Sequence, residues 1–318
     1  MSSGRSVTTA ICSERIERAL ALIDPVFLGT PQYRSRALSA HVGAHVVLKV
    51  ETLNPIRSFK GRGTSLLLAT LPDRDTPLAC ASAGNFGQGL AYAARSYGVP
   101  VHVFTAADAN PLKLRRMREL GAHVHVHDGD FDEAKEAGRA EAERREWRFV
   151  EDGLDPAIAE GAGTIAVELG ELDAIIVPVG NGSLINGIAR WMRDRHPRTR
   201  VIAAGAAGAP AMEIAWRTGA MDPAPADTIA DGVAARVPVP EALELMRELV
   251  DDFWLVDDDA ILDALRRVFL EEGIVVEPAG AVGLAAAIAH RDELKGLRVG
   301  IPLCGANVAP ERLREWLW

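Results

Sequence analysis

Short β-branched and apolar runs alternate along this chain with longer stretches whose apolar positions recur at helical spacing. HVVLKVE (45–51) reads as a strand, and GTSLLLATL (63–71) as a helix. LACASA (78–83) is strand-like, and GQGLAYAARSYG (87–98) is a helix closed by Gly98. VHVFTA (101–106) leads into PLKLRRMRELG (111–121), opened by Pro111 and stopped by Gly121. AIIVPV, RVIAAGA, FWLV and RVGIPLC repeat the strand theme, each with a helical stretch nearby. Such alternation predicts an α/β protein with parallel sheets covered by helices. GAAGAPAM (205–212) and MDPAPAD (221–227) read as loops. The polar segment RREWRFVEDGLDP, with a turn at Asp152–Gly153, reads as a domain crossover.

Composition narrows the function classes. The 318 residues suffice for one large or two modest cores, with 48% apolar and 25% charged residues. A net charge of −9 leaves no basic excess for neutralising phosphates and argues against a nucleic-acid binder. No stretch approaches the ~20 apolar residues of a membrane span, and residues 1–25 hold no signal-peptide run. Cys12, Cys80 and Cys304 are odd in number and widely spaced, which fits a reducing compartment better than a disulfide framework or a zinc site. The expectation is a cytoplasmic protein.

Five stretches carry candidate chemistry. After AIIVPV come Gly180, Asn181, Gly182 and Ser183 at a helix start, where converging amides and the helix dipole suit a phosphate. The spacing is not the dinucleotide fingerprint G-x-G-x-x-G, and a tight strand-to-helix turn reads equally well. CASAGNFGQG crowds Ser82, Gly84, Asn85, Gly87 and Gln88 at another helix start, more donors than one cap needs, which suggests a second anion such as a carboxylate. Lys60 lies between Phe59 and Gly61, near Arg57 and Arg62. An amine acts as nucleophile or base only when neutral, and the alternative is a solvated loop lysine. His123, His125 and His127 alternate with valines and share one strand face; with no carboxylate or cysteine to complete a metal set, they read as the wet side of an edge strand. Glu277 and Cys304 each place one polar group at a strand end.

Taken together, these stretches resemble the fold-type II pyridoxal-phosphate enzymes, the group that includes the tryptophan synthase β chain, in their threonine/serine dehydratase and serine racemase branch. The residues that carry the resemblance are N-P-x-x-S-F-K-x-R-G (Asn54 to Gly63), S-x-G-N-x-x-Q (Ser82 to Gln88), the loop after P-V-G, T-I-A-D-G (Thr228 to Gly232), V-E-P-A-G-A and C-G-x-N. All six follow the family's order from Glu51 to Asn307.

The resemblance implies a large doubly wound domain (1–71 and 150–318) and a smaller mobile α/β domain (72–149). It implies that Lys60 carries pyridoxal 5′-phosphate as a Schiff base, with Phe59 walling the site. Asn85 would bond the ring hydroxyl. Gly180, Asn181, Gly182, Ser183 and Leu184 would cradle the phosphate, Cys304 would face the ring nitrogen, and Glu277 would lie near the ring. Ser82, Ala83, Gly84, Asn85, Phe86 and Gln88 would meet the substrate, with Ser82 and the following amides on its carboxylate. No metal is implied.

The implied activity is a lyase that takes water from a β-hydroxy-α-amino acid and releases a 2-oxo acid and ammonia. A homodimer is the family expectation. Ala83 stands where racemases of the branch carry a proton-moving serine, which favours dehydration, and VIAAGAAGAPA holds none of the acids that the racemase branch uses for a divalent cation. Asn181 and Ser183 interrupt a loop that is usually nearly all glycine. Arg57 replaces a glycine, and Phe86 a common histidine. These departures leave room for an unusual β-hydroxy amino acid such as 3-hydroxyaspartate or a phenylserine-like substrate. The rivals within the enzyme class are racemisation, threonine synthase-like β-replacement and β-elimination from another leaving group. The chain ends at Trp318, without room for the regulatory domain of biosynthetic threonine dehydratases. A nicotinamide oxidoreductase built on the Gly180 loop and a non-catalytic amino-acid sensor are the readings from other classes.

Overall fold

The computed structural model describes residues 11–318, so the signal-peptide reading of the N-terminus falls in part outside the described residues. The strands are β1 (Gln32–Arg34), β2 (His45–Val50), β3 (Leu78–Ala81), β4 (Val101–Ala106), β5 (His123–His127), β6 (Arg148–Phe149), β7 (Ala174–Pro178), β8 (Arg200–Ala206), β9 (Asp252–Val256) and β10 (Arg298–Leu303). They form two sheets. One has six strands in the order β1-β2-β10-β7-β8-β9, and the other four, in the order β5-β4-β3-β6. Among the strands of the described residues only β1, against β2, pairs antiparallel. The larger sheet therefore takes strands from both ends of the chain, and the smaller takes a single continuous stretch. The runs read as strands in the sequence appear, with one correction: Glu277 follows no strand, since residues 273–277 are irregular and connect two helices. β1 and β6, with three and two residues, are too short to show a periodic pattern.

β7 is buried along its whole length, as a parallel strand covered on both faces must be. The Ala-rich helix Pro278–Ala289 packs its buried face with Ile176, Ala204 and Ile301. On the other side the helices Pro156–Leu169 and Ser183–Arg195 pack with Val177, Val201 and Ala203. Small residues bring the helices on this side unusually close. A Cβ on Gly161 would stand 2.5 Å from Gly63 Cα, and one on Gly163 would stand 2.8 Å from Gly187 O. This contact draws together the N-termini of helix Lys60–Thr70 and helix Ser183–Arg195. Among the described residues, no helix is long and apolar enough to cross a membrane.

A charged cluster anchors helix Lys60–Thr70 from beneath. Arg62, fully buried, donates to both oxygens of Glu51 at 2.8 Å and to Glu168 at 2.7 and 2.9 Å. Lys49, also buried, pairs with Glu168 and donates to Thr30 O at 2.7 Å. Two cations thus meet two carboxylates, and the donors and acceptors satisfy one another, which is what makes buried charge tolerable. Burial opposes Arg62's charge, but Glu51 and Glu168 outweigh it and hold the guanidinium still further above its ordinary range.

The histidines of β5 lie at the edge of the smaller sheet, and part of that face is covered. His125 Nε2 lies 3.0 Å from His102 Nδ1, and the His102 ring stacks on Trp147 at 3.7 Å between centroids. His125 stacks on Phe104 at 4.6 Å.

Candidate active site

Lys60 opens its helix after the N-cap Phe59, and Ser58 before them forms an isolated bridge to Gly305. Its Nζ reaches toward the loop after β7, where it hydrogen-bonds Ser183 Oγ at 3.1 Å and pairs with Asp152 Oδ2. The Phe59 ring lies 4.7 Å from Nζ and, being buried, forms an apolar wall. Asp152 Oδ1 accepts from Ser183 Oγ at 2.9 Å, and the Asn181 side-chain amide donates to Asp152 O at 2.7 Å. The Asp152–Gly153 turn seen in the sequence therefore carries a side chain of the site.

The loop 180–184 has the features of an anion cradle. Gly182 occupies the N-cap of helix Ser183–Arg195 at φ +92° and supplies no capping side chain. The first-turn amides that no side chain takes are suited to an anionic ligand. A Cβ on Gly180 would come within 2.6 Å of Gly232 O, so the T-I-A-D-G loop closes tightly over this end. Asn181 Oδ1 takes the Ser183 amide at 3.2 Å, and Leu184 is buried in the core below. Asn181 and Ser183 thus supply side-chain groups where bare glycines would offer none.

Asn85, Glu277 and Asn307 form a second wall, and Cys304 joins it to Phe59, whose amide donates to Cys304 O at 3.0 Å. Asn85 Nδ2 donates to Glu277 Oε1 at 2.5 Å, and Asn307 Nδ2 donates to Asn85 Oδ1 at 2.8 Å. The Asn307 amide donates to Glu277 Oε2 at 3.1 Å. Burial pushes the Glu277 carboxyl above its usual range, partly offset by Lys113, whose Nζ is 3.8 Å away. Burial works against the Lys113 charge too, but Glu277 and Asp231 outweigh it, and the ammonium is held above its ordinary value. Cys304 is buried, and its thiol is pushed up to about 12, by burial first and then by the Glu277 charge. It stays protonated at neutral pH and cannot act as an acid toward a ring nitrogen.

In the loop 82–88, Ser82 Oγ accepts from the amides of Gly84 at 3.1 Å and Gly87 at 2.9 Å. Gly84 packs against Lys113, and Ala83 is exposed. Both polar atoms of the fully buried Gln88 side chain lack a hydrogen-bond partner. Phe86 is buried and packs in the core of the smaller sheet with Leu67, Leu90 and Met117. Arg57 adopts φ +52°, a conformation easiest for glycine, and its side chain is exposed.

Lys60, Asn181 and Ser183 therefore come together in one group and Asn85 and Glu277 in another, with Phe59 and Cys304 in contact between them. Asp152 and Lys113 were not singled out in the sequence. Asp152 looked like half of a turn, and Lys113 like an ordinary lysine in a helix of basic residues. Neither contact is local, since Asp152 and Lys113 reach partners 92 and 118 positions away.

A family model described as pyridoxal-phosphate dependent enzyme matches residues 23–305. The chain is 34% identical over 305 residues to a Thermotoga maritima protein called L-threonine ammonia-lyase, covering 94% of this chain and 76% of that one. Its fold superposes on maize serine racemase with a TM-score of 0.90 at 30% identity, covering 96% of both chains. It superposes on the processed form of threonine deaminase isoform 2 from Solanum lycopersicum with a TM-score of 0.87 at 28% identity, covering 96% of this chain and 93% of that one.

Proposed function

The chain belongs to the pyridoxal-phosphate dependent enzymes, as a lyase, and from that premise we propose that it removes water from threonine or serine and releases ammonia and a 2-oxo acid. The observation that carries this reading is the meeting of Lys60 Nζ with Ser183 at the head of a helix whose N-cap, Gly182, has no side chain to cap it. Helix-start amides, a lysine within reach of them and an apolar wall fit an aldehyde that bears a phosphate.

In this reading the amides of residues 180–184 hold the phosphate, and Lys60 holds the aldehyde carbon. Asn85, fixed by Glu277 and Asn307, presents its amide to the ring, and Cys304 offers the ring nitrogen a neutral thiol. When bound, pyridoxal phosphate supplies an electrophilic aldehyde and a conjugated ring that takes up the electron pair released at the substrate Cα. The loop 82–88 binds the substrate carboxylate through backbone amides. Lys60, displaced as an amine, removes the Cα proton. Ala83 has no proton to give on the other face, which supports elimination over racemisation.

The unit 72–149 is read as the mobile part. Lys113, reaching from this unit to Asp231 and Glu277 in the larger one, supports closure across the site. A cytoplasmic homodimer completes the proposal. The exposed apolar side chains of Leu22, Val26 and Leu53 support an interface, and the three free thiols support a reducing compartment.

The test is a panel of threonine, serine, 3-hydroxyaspartate and phenylserine, with ammonia and 2-oxo acid measured for each. Stoichiometric formation of both products from threonine or serine supports the reading. Racemised amino acid without ammonia overturns it.

A further inference from the structure

Asp152 is held from two sides and engages the reacting lysine directly. Its Oδ2 pairs with Lys60 Nζ, and its Oδ1 accepts from Ser183 Oγ at 2.9 Å. Ser183 Oγ in turn accepts from Lys60 at 3.1 Å and lies 3.2 Å from Asn181 Oδ1. The Asn181 amide fixes the Asp152 backbone. The residues that interrupt the glycine loop and the carboxylate facing them thus form one network. Other charges nearby are engaged elsewhere: Glu151 with Lys135 and Arg139, and Asp155 with Arg148. The buried Cys80 thiol is pushed up by burial first and then by the Asp152 charge.

The charge balance of this network changes during the proposed reaction, on which this inference rests. In the structure the Lys60 ammonium balances the Asp152 carboxylate. Once the lysine nitrogen is drawn to the aldehyde carbon, or acts as a neutral amine, it no longer faces Asp152 as a free ammonium. The 180–184 loop has meanwhile received a phosphate. Two neighbouring anions with little solvent between them share a proton.

We propose that Asp152 is the general acid of the elimination, carrying that proton and giving it to the departing β-hydroxyl. The step balances. Lys60 takes the Cα proton, and the Cα–H electron pair becomes the Cα–Cβ double bond. The Cβ–O bond breaks with its electrons on oxygen, and the Asp152 O–H proton joins that oxygen to make water. Lys60 is then an ammonium and Asp152 a carboxylate, which is the ion pair the structure shows. Their hydrogen bond lets the proton return to Asp152 before the next turnover.

The test compares the wild-type holoenzyme with Asp152→Asn and Ser183→Ala, using serine and β-chloroalanine. Hydroxide needs a proton to leave and chloride does not. The serine-to-β-chloroalanine rate ratio of Asp152→Asn falls on the order of 10²-fold, the usual worth of a general acid. Ser183→Ala, which removes only the hydroxyl bonded to Asp152, lowers the same ratio by a smaller factor. A second readout does not depend on turnover. The ³¹P resonance of bound cofactor in the wild type moves with pH, and in Asp152→Asn it stays at the dianion position.

If Asp152→Asn loses both substrates in equal proportion, or shows the wild-type ³¹P response, the inference is overturned and the function stands. If the wild type turns over neither compound, the proposed function fails, and this inference fails with it.

Discussion

The side-chain amide of Asn85 donates to Oε1 of Glu277 across 2.5 Å, tying the helix that follows β3 in the smaller sheet to the start of the Ala-rich helix under the larger one. Asn307 closes the triangle, donating its backbone amide to Glu277 and its side-chain amide to Asn85. The Asn85 carboxamide is therefore fixed in orientation, with its NH₂ on the acid.

Asn85→Asp replaces that donor with a carboxylate facing a buried acid. Like charges at this distance disfavour one another strongly. The variant is expected to bind pyridoxal phosphate at least ~10-fold more weakly, the order of one hydrogen bond to a charged group. Fluorescence titration of the cofactor-free protein measures it, and unchanged affinity contradicts the assigned wall.

Gly180→Ala tests the cradle. Its Cβ would meet Gly232 O at 2.6 Å, and that oxygen is backbone and cannot swing aside as a flexible side chain would. The expected outcome is a correctly folded protein with weakened cofactor binding. Titration with inorganic phosphate shows the same loss if the loop is the phosphate site.

Arg62→Leu leaves Glu51 and Glu168 facing each other without the cation that separates them. Breaking a buried pair from one side costs about 3–5 kcal/mol. Urea denaturation is expected to show a loss of that order. A smaller loss follows if Arg62 and Glu51 are replaced together by apolar residues.

His102 takes a proton with difficulty. Burial first, then His123 and His125, lower it to about 4, with Arg145 adding and Glu141 opposing. Because its folded value lies below the unfolded one, its contribution to stability is complete above about pH 6.5 and is lost as the pH falls toward about 4. Trp147, stacked on His102, reports the change. Its fluorescence is expected to titrate near pH 4, and His125→Asn is expected to move that midpoint upward.

Most of the architecture is legible in the sequence because buried parallel strands such as β7 are continuous apolar runs, and Gly98, Pro111 and Gly121 mark the helix ends. The position of Lys60 at the start of a helix is legible for the same reason. Asp152 is not, because an Asp–Gly pair reads as a turn whether or not its carboxylate has a distant partner. The covered side of the β5 histidines is equally hidden. Alternation gives the face they share but not Trp147 or Phe104, which the fold lays against it. Phe86 illustrates the converse: a residue beside a binding motif is turned into the core by the helix that begins there.

The most direct test of the central claim is the visible absorbance of the purified protein, supplied with pyridoxal phosphate, beside that of Lys60→Ala. The account predicts a yellow wild type whose spectrum shifts on adding threonine or serine, and a variant that lacks the lysine-linked band and forms no ammonia. A wild type that stays colourless with added cofactor, or a Lys60→Ala variant with the wild-type band and activity, would contradict it.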